Sequence, residues 1–423
     1  MQLTETSRRS LTVRILVGMA AGFATGALLN WIGVTGFVRE FLVEGVFHVG
    51  GTIFLASLKL LVVPLVFVSL VCGTAAIDDV AKLGRVGAKT LGLYLATTAF
   101  AIGLAVLAAG LVQPGAGFEL QADSSFTLRE APTLTETLIS LFPSNPVRAM
   151  AEGNMLQIIV FSGLFGLALT LSGAPGKRVL ALFGDLNAVI MRLVMLLMLI
   201  APIGVFCLIA KVFALQGYEA IVPLAKYFFV VLGVLLLHAL VTYPVLLKSL
   251  TRLSPRAFFR NMRDPVALAF STASSNATMP VTLETAEHRM GIHNSIASFT
   301  VPLGATINMD GTAIMQGVAT GFIAQAYGVE LGLSGYLVVV LTATLASIGT
   351  AGVPGVGLIM LAMVLRQVNL PVEGIGLIIG VDRLLDMVRT AVNVTGDCAV
   401  TCIVAKSEGR LSEKVFYGRG VAI

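Results

Sequence analysis

Val381-Asp-Arg-Leu-Leu-Asp-Met-Val-Arg-Thr-Ala-Val-Asn-Val-Thr-Gly-Asp397 sets charged side chains inside an otherwise apolar run. Asp382, Asp386, Arg389, Thr390, Asn393 and Asp397 lie at offsets 0, 4, 7, 8, 11 and 15. At about 100° per residue they fall within an arc of roughly 100°, a polar stripe about four turns long on one face of a helix. An ionised side chain at the centre of a lipid-facing helix costs about 2.5 to 3.5 kcal/mol. The four charges of the stripe together exceed the net stability of many domains, so the stripe must face a partner.

The rest of the chain makes lipid the solvent. Of 423 residues, 57% are hydrophobic and 12% charged, against roughly a quarter charged in globular proteins. Mean hydropathy is +0.93. A single aqueous core stops growing at about 250 to 300 residues, which excludes a soluble fold. Lys and Arg number 28 against 23 Asp and Glu, a net +5 that suits cytoplasmic loops and not a nucleic-acid surface. Cys72, Cys207, Cys398 and Cys402 sit in apolar stretches without a CxxC pair. They read as small buried hydrophobes, neither disulfide scaffold nor thiolate metal site.

Apolar runs long enough to cross about 30 Å of hydrocarbon fall near 11–37, 43–74, 86–113, 148–173, 180–212 and 225–247. The first has the basic flank of a signal peptide (Arg8, Arg9, Arg14), but more membrane follows it, so it is taken as an uncleaved span. Basic residues then mark alternate loops: Lys82, Arg85 and Lys89; Lys177 and Arg178; Lys248, Arg252, Arg256, Arg260 and Arg263. The long loop near 114–147 is acidic, with Glu119, Asp123, Glu130 and Glu136 against Arg129. The positive-inside rule puts the N-terminus in the cytoplasm. Lys406, Arg410, Lys414 and Arg419 put the C-terminus there too, which requires an even number of crossings.

Beyond residue 255 three tracts break the apolar pattern: Ser271-Thr-Ala-Ser-Ser-Asn-Ala-Thr-Met-Pro280, Asn308-Met-Asp-Gly-Thr312 and Ser347-Ile-Gly-Thr-Ala-Gly-Val-Pro-Gly355. Backbone freed by Pro and Gly at membrane depth is tolerated only against protein or a water-filled cavity. The first and third tracts both contain an x-Pro pair, and each precedes a helix with intramembrane carboxylates by about 30 residues, the signature of paired broken segments at a transporter site. Two re-entrant hairpins plus eight full crossings satisfy the charge map, in an all-α polytopic membrane fold.

With Asp310 the buried carboxylates number four (Asp310, Asp382, Asp386, Asp397) against Arg389. Pairing Asp386 with Arg389 leaves about three negative charges unmatched, costly unless cations occupy the site. Oxygen-only ligands (Asp310, Asp397, Asn308, Asn393, threonine hydroxyls, unwound carbonyls) suit Na⁺ and not a soft metal, and His48, His238, His288 and His293 are expected not to cluster with them. Arg389 offers a fork for a carboxylate and Asp386 can accept an ammonium. A molecule with both groups is an amino acid with an extra carboxylate.

Asn308-Met-Asp-Gly-Thr312, Gly349-Thr-Ala-Gly-Val-Pro-Gly355 and the run Asp386–Asp397 resemble, in order and spacing, the three most specific motifs of the glutamate transporter family, the dicarboxylate/amino acid:cation symporters. The resemblance covers nearly the whole chain and is strongest from about 255 to 409. It implies eight transmembrane helices, two oppositely oriented re-entrant hairpins, an elevator-type mechanism and a homotrimer in the cell inner membrane. Residues 1–83 would be scaffold helices 1–2 and 84–113 transport helix 3. In 114–255, helices 4 and 5 would belong to the scaffold and helix 6 to the transport part. Residues 256–409 would form the transport core, and 410–423 a cytoplasmic tail.

By the same resemblance, Arg389 would take the substrate's side-chain carboxylate with Thr312, and Asp386 its amino group, with Thr390 and Asn393 near the amino group and main-chain carboxylate. Ser275 and Asn276 would contribute from the first hairpin, Val353 and Gly357 from the second. One sodium would lie among Asp397, Asn393, Asn308 and the Gly304 carbonyl. A second would use the carbonyls of Thr306, Ser347, Ile348 and Thr350, and a third Tyr94, Thr97 and Thr98 with Asn308 and Asp310. About three sodium ions per substrate are implied, with no organic cofactor.

The chain departs from the family pattern at three places. Asn276 follows Ser274-Ser275 where a serine triplet is usual; Ala273 and Met387 stand where some members carry a second arginine; and Gln316 replaces the glutamate tied to proton and potassium coupling in animal members. An enzyme is disfavoured, since HExxH and GxSxG are absent and Gly173-Ala-Pro-Gly-Lys-Arg178 lacks the phosphate-loop spacing. A cation channel is the other rival class, because carboxylate-lined pores also conduct. Among transporters, Asp386 argues against a plain dicarboxylate, since nothing would neutralise it, and Arg389 argues against a neutral amino acid. Proton in place of sodium coupling, with glutamate, aspartate or a C4-dicarboxylate as substrate, is the alternative.

Overall fold

The computed structural model describes residues 5–75, 80–117, 142–216, 221–347, 352 and 354–418. The acidic residues of the long loop, together with Ile348, Thr350, Val353 and Arg419, lie outside them. Among the described residues the fold is helical with no strand; one isolated antiparallel bridge joins Ile292 to Leu411. By length and composition five described helices can cross a membrane: Val13–Ile32, Val38–Ser57, Arg85–Val112, Ala174–Leu197 and Ile221–Thr251. Shorter apolar helices accompany them, including Gln157–Leu171, Ala201–Leu215, Gly332–Ser347 and Val356–Gln367.

The N-terminal half contains α1 (Glu5–Ile32), α2 (His48–Ala75, entered through a π-helical stretch Val38–Phe47) and α3 (Val80–Val112). After the long loop come α4 (Pro146–Glu152), α5 (Met155–Leu171), α6 (Ala174–Met198) and α7 (Ala201–Gln216). Two of the expected spans are therefore divided. The run 148–173 breaks at Gly153, which takes φ +70° to cap α4, before Asn154 caps α5. The run 180–212 breaks at Leu199–Ile200, because Pro202 has no N–H to continue the ladder.

The sixth run becomes α8 (Ile221–Leu237), a π-helical turn His238–Thr242 and α9 (Tyr243–Thr251). Then follow α10 (Pro255–Asn261), α11 (Arg263–Thr272), α12 (Ser275–Glu284), α13 (Asn294–Ile307), α14 (Asp310–Ala326), α15 (Gly332–Ser347), α16 (Val356–Gln367), α17 (Ile375–Ser407) and α18 (Glu413–Phe416). All but one residue of α14 is buried, so it has no lipid face.

Packing sorts the helices into two groups. α1 lies along α7, and α2 along α5, α6 and α7. α17 is the axis of the second group, touched by α3, α8, α9, α11, α12, α13, α14 and α16. The groups meet where α16 packs on α2 and where α1 and α7 reach α17. The chain's last described residues belong to the second group. Ser412 N donates to Gly291 O (2.8 Å), His293 N donates to Arg410 O (2.9 Å), and Val415 and Phe416 are buried.

Candidate functional site

The three broken tracts converge on α17. Ala273 turns the chain between α11 and α12 in a left-handed conformation (φ +49°), and the Ser274 side chain caps α12 by accepting from Ala277 N. This tip touches the third tract: Ser274 Oγ and Asn276 N both donate to Gly352 O, at 2.7 and 3.1 Å. The second tract is an unwound joint, since α13 ends at Ile307 and α14 starts at Asp310 with Asn308 and Met309 in non-helical conformations.

Along the stripe of α17 all six expected polar residues are buried. Arg389 has 0% exposure and its fork spans two carboxylates of its own helix. Nη1 donates to Asp382 Oδ1 (2.7 Å) and Nη2 to Asp386 Oδ1 (2.8 Å). Thr312 and Gly357 close in on the guanidinium: a side chain at Gly357 would meet Arg389 Nη2 at 3.2 Å and Thr312 Cγ2 at 3.3 Å. Arg383, absent from the expected set, stands 3.5 Å from Asp386 Oδ2, which also receives Gly355 N at 3.4 Å. The count of one guanidinium is thereby corrected. Arg383 sits one residue off the stripe, and only its length brings it back. Two arginines face Asp382 and Asp386, and the unmatched negative charge lies farther along the helix.

Three turns on, the chemistry changes. Asn308 Nδ2 donates to Asp397 Oδ1 (2.8 Å) and to the Asn393 carbonyl (3.3 Å), while Asn393 Oδ1 accepts from Gly311 N (2.7 Å). Two glycines permit this closeness. A Cβ at Gly304 would lie 2.5 Å from Asp397 Oδ1, and one at Gly311 2.5 Å from the Arg389 carbonyl. Asn308 Oδ1 is left buried without a hydrogen-bond partner. A carboxylate, an orphaned amide oxygen and a helix with no Cβ in the way form a small oxygen-lined cradle.

Asp310 lies on the other side of α14's first turn. Thr98 Oγ1 donates to its Oδ1 (2.5 Å), Tyr243 OH donates to Oδ2 (2.8 Å), and His238 Nε2 is 3.1 Å from Oδ2. The expectation that no histidine joins the carboxylates is therefore corrected. The reason is the π turn: Tyr243 N donates to His238 O five residues back, which brings the two rings edge to face, their centroids 4.5 Å apart, on one face. Pro244 at the next position removes a donor and favours the wider turn. A polar i, i+5 pair before a proline was the available signal.

The other expected residues have mainly local partners. Thr390 Oγ1 donates to Asp386 O (2.8 Å), Thr306 Oγ1 to Pro302 O (2.9 Å), Ser347 Oγ to Thr344 O (2.7 Å) and Thr97 Oγ1 to Tyr94 O (3.1 Å). Tyr94 OH donates to Thr300 O (3.0 Å), near Asp397. Ser275 is buried and Asn276 exposed, at the tip that meets Gly352.

A model of the sodium:dicarboxylate symporter family matches residues 11–407. The proton/glutamate-aspartate symporter of Escherichia coli (strain K12) is 37% identical over 417 residues, covering 96% of this chain and 94% of that one. The proton/sodium-glutamate symport protein of Bacillus caldotenax is 34% identical, with 96% of each chain covered. The C4-dicarboxylate transport protein of Brucella anthropi is 32% identical over 95% of this chain and 90% of its own. A buried arginine held between carboxylates, an oxygen-lined cradle on the same helix and a match over almost the full length agree: the chain belongs to the sodium:dicarboxylate symporter family, whose members are membrane transporters and not enzymes.

Proposed function

We propose that the chain is a secondary symporter of acidic amino acids, L-aspartate or L-glutamate, driven by a sodium gradient. The observation that carries this is the Asp382–Arg389–Asp386 cluster: a carboxylate of the substrate takes the Arg389 fork and its ammonium takes Asp386. Thr312, Thr390 and Asn393 would line the rest of the pocket, with Ser275, Asn276 and Gly357 at its tips and Val353, which lies outside the described residues, completing the set.

The Asp397–Asn308 cradle suits a hard cation, since Asn308 Oδ1 is a buried acceptor without a donor. Asp397, Asn393, Asn308 and the Gly304 carbonyl would hold sodium there, supplying positive charge beside Asp397. Of the second set, Thr306 and Ser347 are described and Ile348 and Thr350 are not. The third set, Tyr94, Thr97 and Thr98 with Asn308 and Asp310, would place its ion beside a carboxylate that also accepts from Thr98 and Tyr243. About three sodium ions per substrate is the stoichiometry of this reading.

Eight transmembrane helices with two re-entrant hairpins, α11–α12 and α15–α16, complete the proposed topology, with both termini cytoplasmic in the inner membrane. The group around α17 would slide past the group of α1, α2, α5, α6 and α7 in each protomer of a homotrimer. The domain bounds at 83, 113, 255 and 409 follow that division. Proton coupling is the second reading, favoured by relatives named for protons. In proteoliposomes an inward sodium gradient is expected to drive concentrative aspartate uptake; uptake driven equally by a proton gradient in sodium-free buffer selects the second reading.

A further inference from the structure

The substrate end of α17 holds one charged group beyond those of the proposed binding set. Arg383 projects from the turn before Asp386 and places Nη1 3.5 Å from Asp386 Oδ2, the oxygen that Arg389 does not use. Its side chain and that of Asp386 are both largely covered, at 13% and 11% exposure. They share a cavity of about 40 Å³ with Ile15, Phe54, Ala201 and Val205 of the opposite helix group. Space of that size holds a few waters at most. A guanidinium beside those apolar side chains is stabilised by the carboxylate it stands against.

We infer that Arg383 is a specificity-determining residue: it gives Asp386 a counter-charge from the protein itself and so lowers the penalty for substrates without an ammonium group. This rests on the proposed use of Asp386 to bind an amino group. When a diacid takes the Arg389 fork, Nη2 must leave Asp386 Oδ1. An amino acid then supplies its own ammonium to that oxygen. A four-carbon diacid such as succinate supplies nothing, and a ligand that leaves a buried polar group of the site without its partner is rejected by roughly 10⁴-fold or more. With Arg383 and Gly355 N already at Oδ2, Asp386 keeps a positive neighbour in both cases, and discrimination shrinks.

The measurement is the ratio of succinate to aspartate dissociation constants, obtained by calorimetry and by competition on the purified full chain. Wild type is expected to bind succinate within about 100-fold of aspartate. Arg383→Gln is expected to widen the ratio by at least tenfold, and Arg383→Lys to restore most of it. A merely structural role would weaken both ligands together and leave the ratio fixed. A ratio that moves less than threefold in Arg383→Gln overturns the inference. Should Arg383→Gln not fold, wild type alone decides, since failure of succinate to displace aspartate at 10⁴-fold excess overturns it equally. Absence of aspartate binding to wild type sinks the proposed function instead.

Discussion

Arg389 is the residue on which most of the site's charge balance turns. It is buried and joined to two carboxylates, and truncating one partner of such a group costs about 2–5 kcal/mol. Arg389→Cys is therefore expected to weaken aspartate at least 30-fold while admitting neutral amino acids, read from competition binding; unchanged aspartate affinity counts against the assignment. Asp397 makes a separable contribution about two turns away. Asp397→Asn keeps the Asn308 contact in reach but removes the charge of the cradle. The sodium concentration giving half-maximal substrate binding should rise tenfold or more, and an unmoved sodium dependence would place the ion elsewhere.

At the scale of elements, the stripe of α17 was legible because 3.6-residue periodicity survives tertiary packing, and so were the three broken tracts. Their junction at Gly352 was not, because 78 residues separate Ser274 from that carbonyl and a glycine backbone oxygen carries no side chain to announce the contact. Arg383 escaped because it lies off the arc, and His238 because a π turn shifts the register on which an α-helical wheel is drawn. That turn ties α8 and α9 to α14 through Asp310. Replacing one donor to a buried carboxylate costs about 1–3 kcal/mol. His238→Ala and Tyr243→Phe should each lower the midpoint of thermal unfolding in detergent, and two unchanged midpoints would remove this anchor.

Across the whole molecule, the two helix groups touch mainly through α1, α2 and α7 against α16 and α17. Phe54 and Leu358 line the same small cavity from opposite groups. A Phe54→Cys, Leu358→Cys pair, in a background without the four native cysteines, should be bridged by mercury; transport should stop while aspartate binding persists. Continued transport by the bridged protein would rule out sliding between these groups. Inside the second group, Glu408 at the end of α17 is gripped by Arg85 and by Lys89 Nζ at 2.6 Å. Hydrogen bonds from Arg85 and then Lys89 hold its carboxyl down to about 2, from an ordinary 4.5. A lowered carboxyl stabilises the fold above its ordinary value and loses that effect as pH falls toward 2. Glu408→Gln should thus cost the same thermal stability at pH 5 and pH 8, with the difference shrinking below about pH 4.5.

One long helix carries both ends of the chemistry. From Asp386 to Asp397 α17 rises roughly 16 Å at 1.5 Å per residue without a break, so it behaves as a stiff rod and transmits little between the two. The compliant piece is the two-residue joint at Asn308–Met309. Asn308 sits against Asp397 on one side of it, and Thr312 closes on Arg389 on the other. On the proposed sites, a cation that tightened Asn308 would pull on non-helical backbone only four residues from Thr312, and that joint would be the linkage through which ion and substrate feel one another.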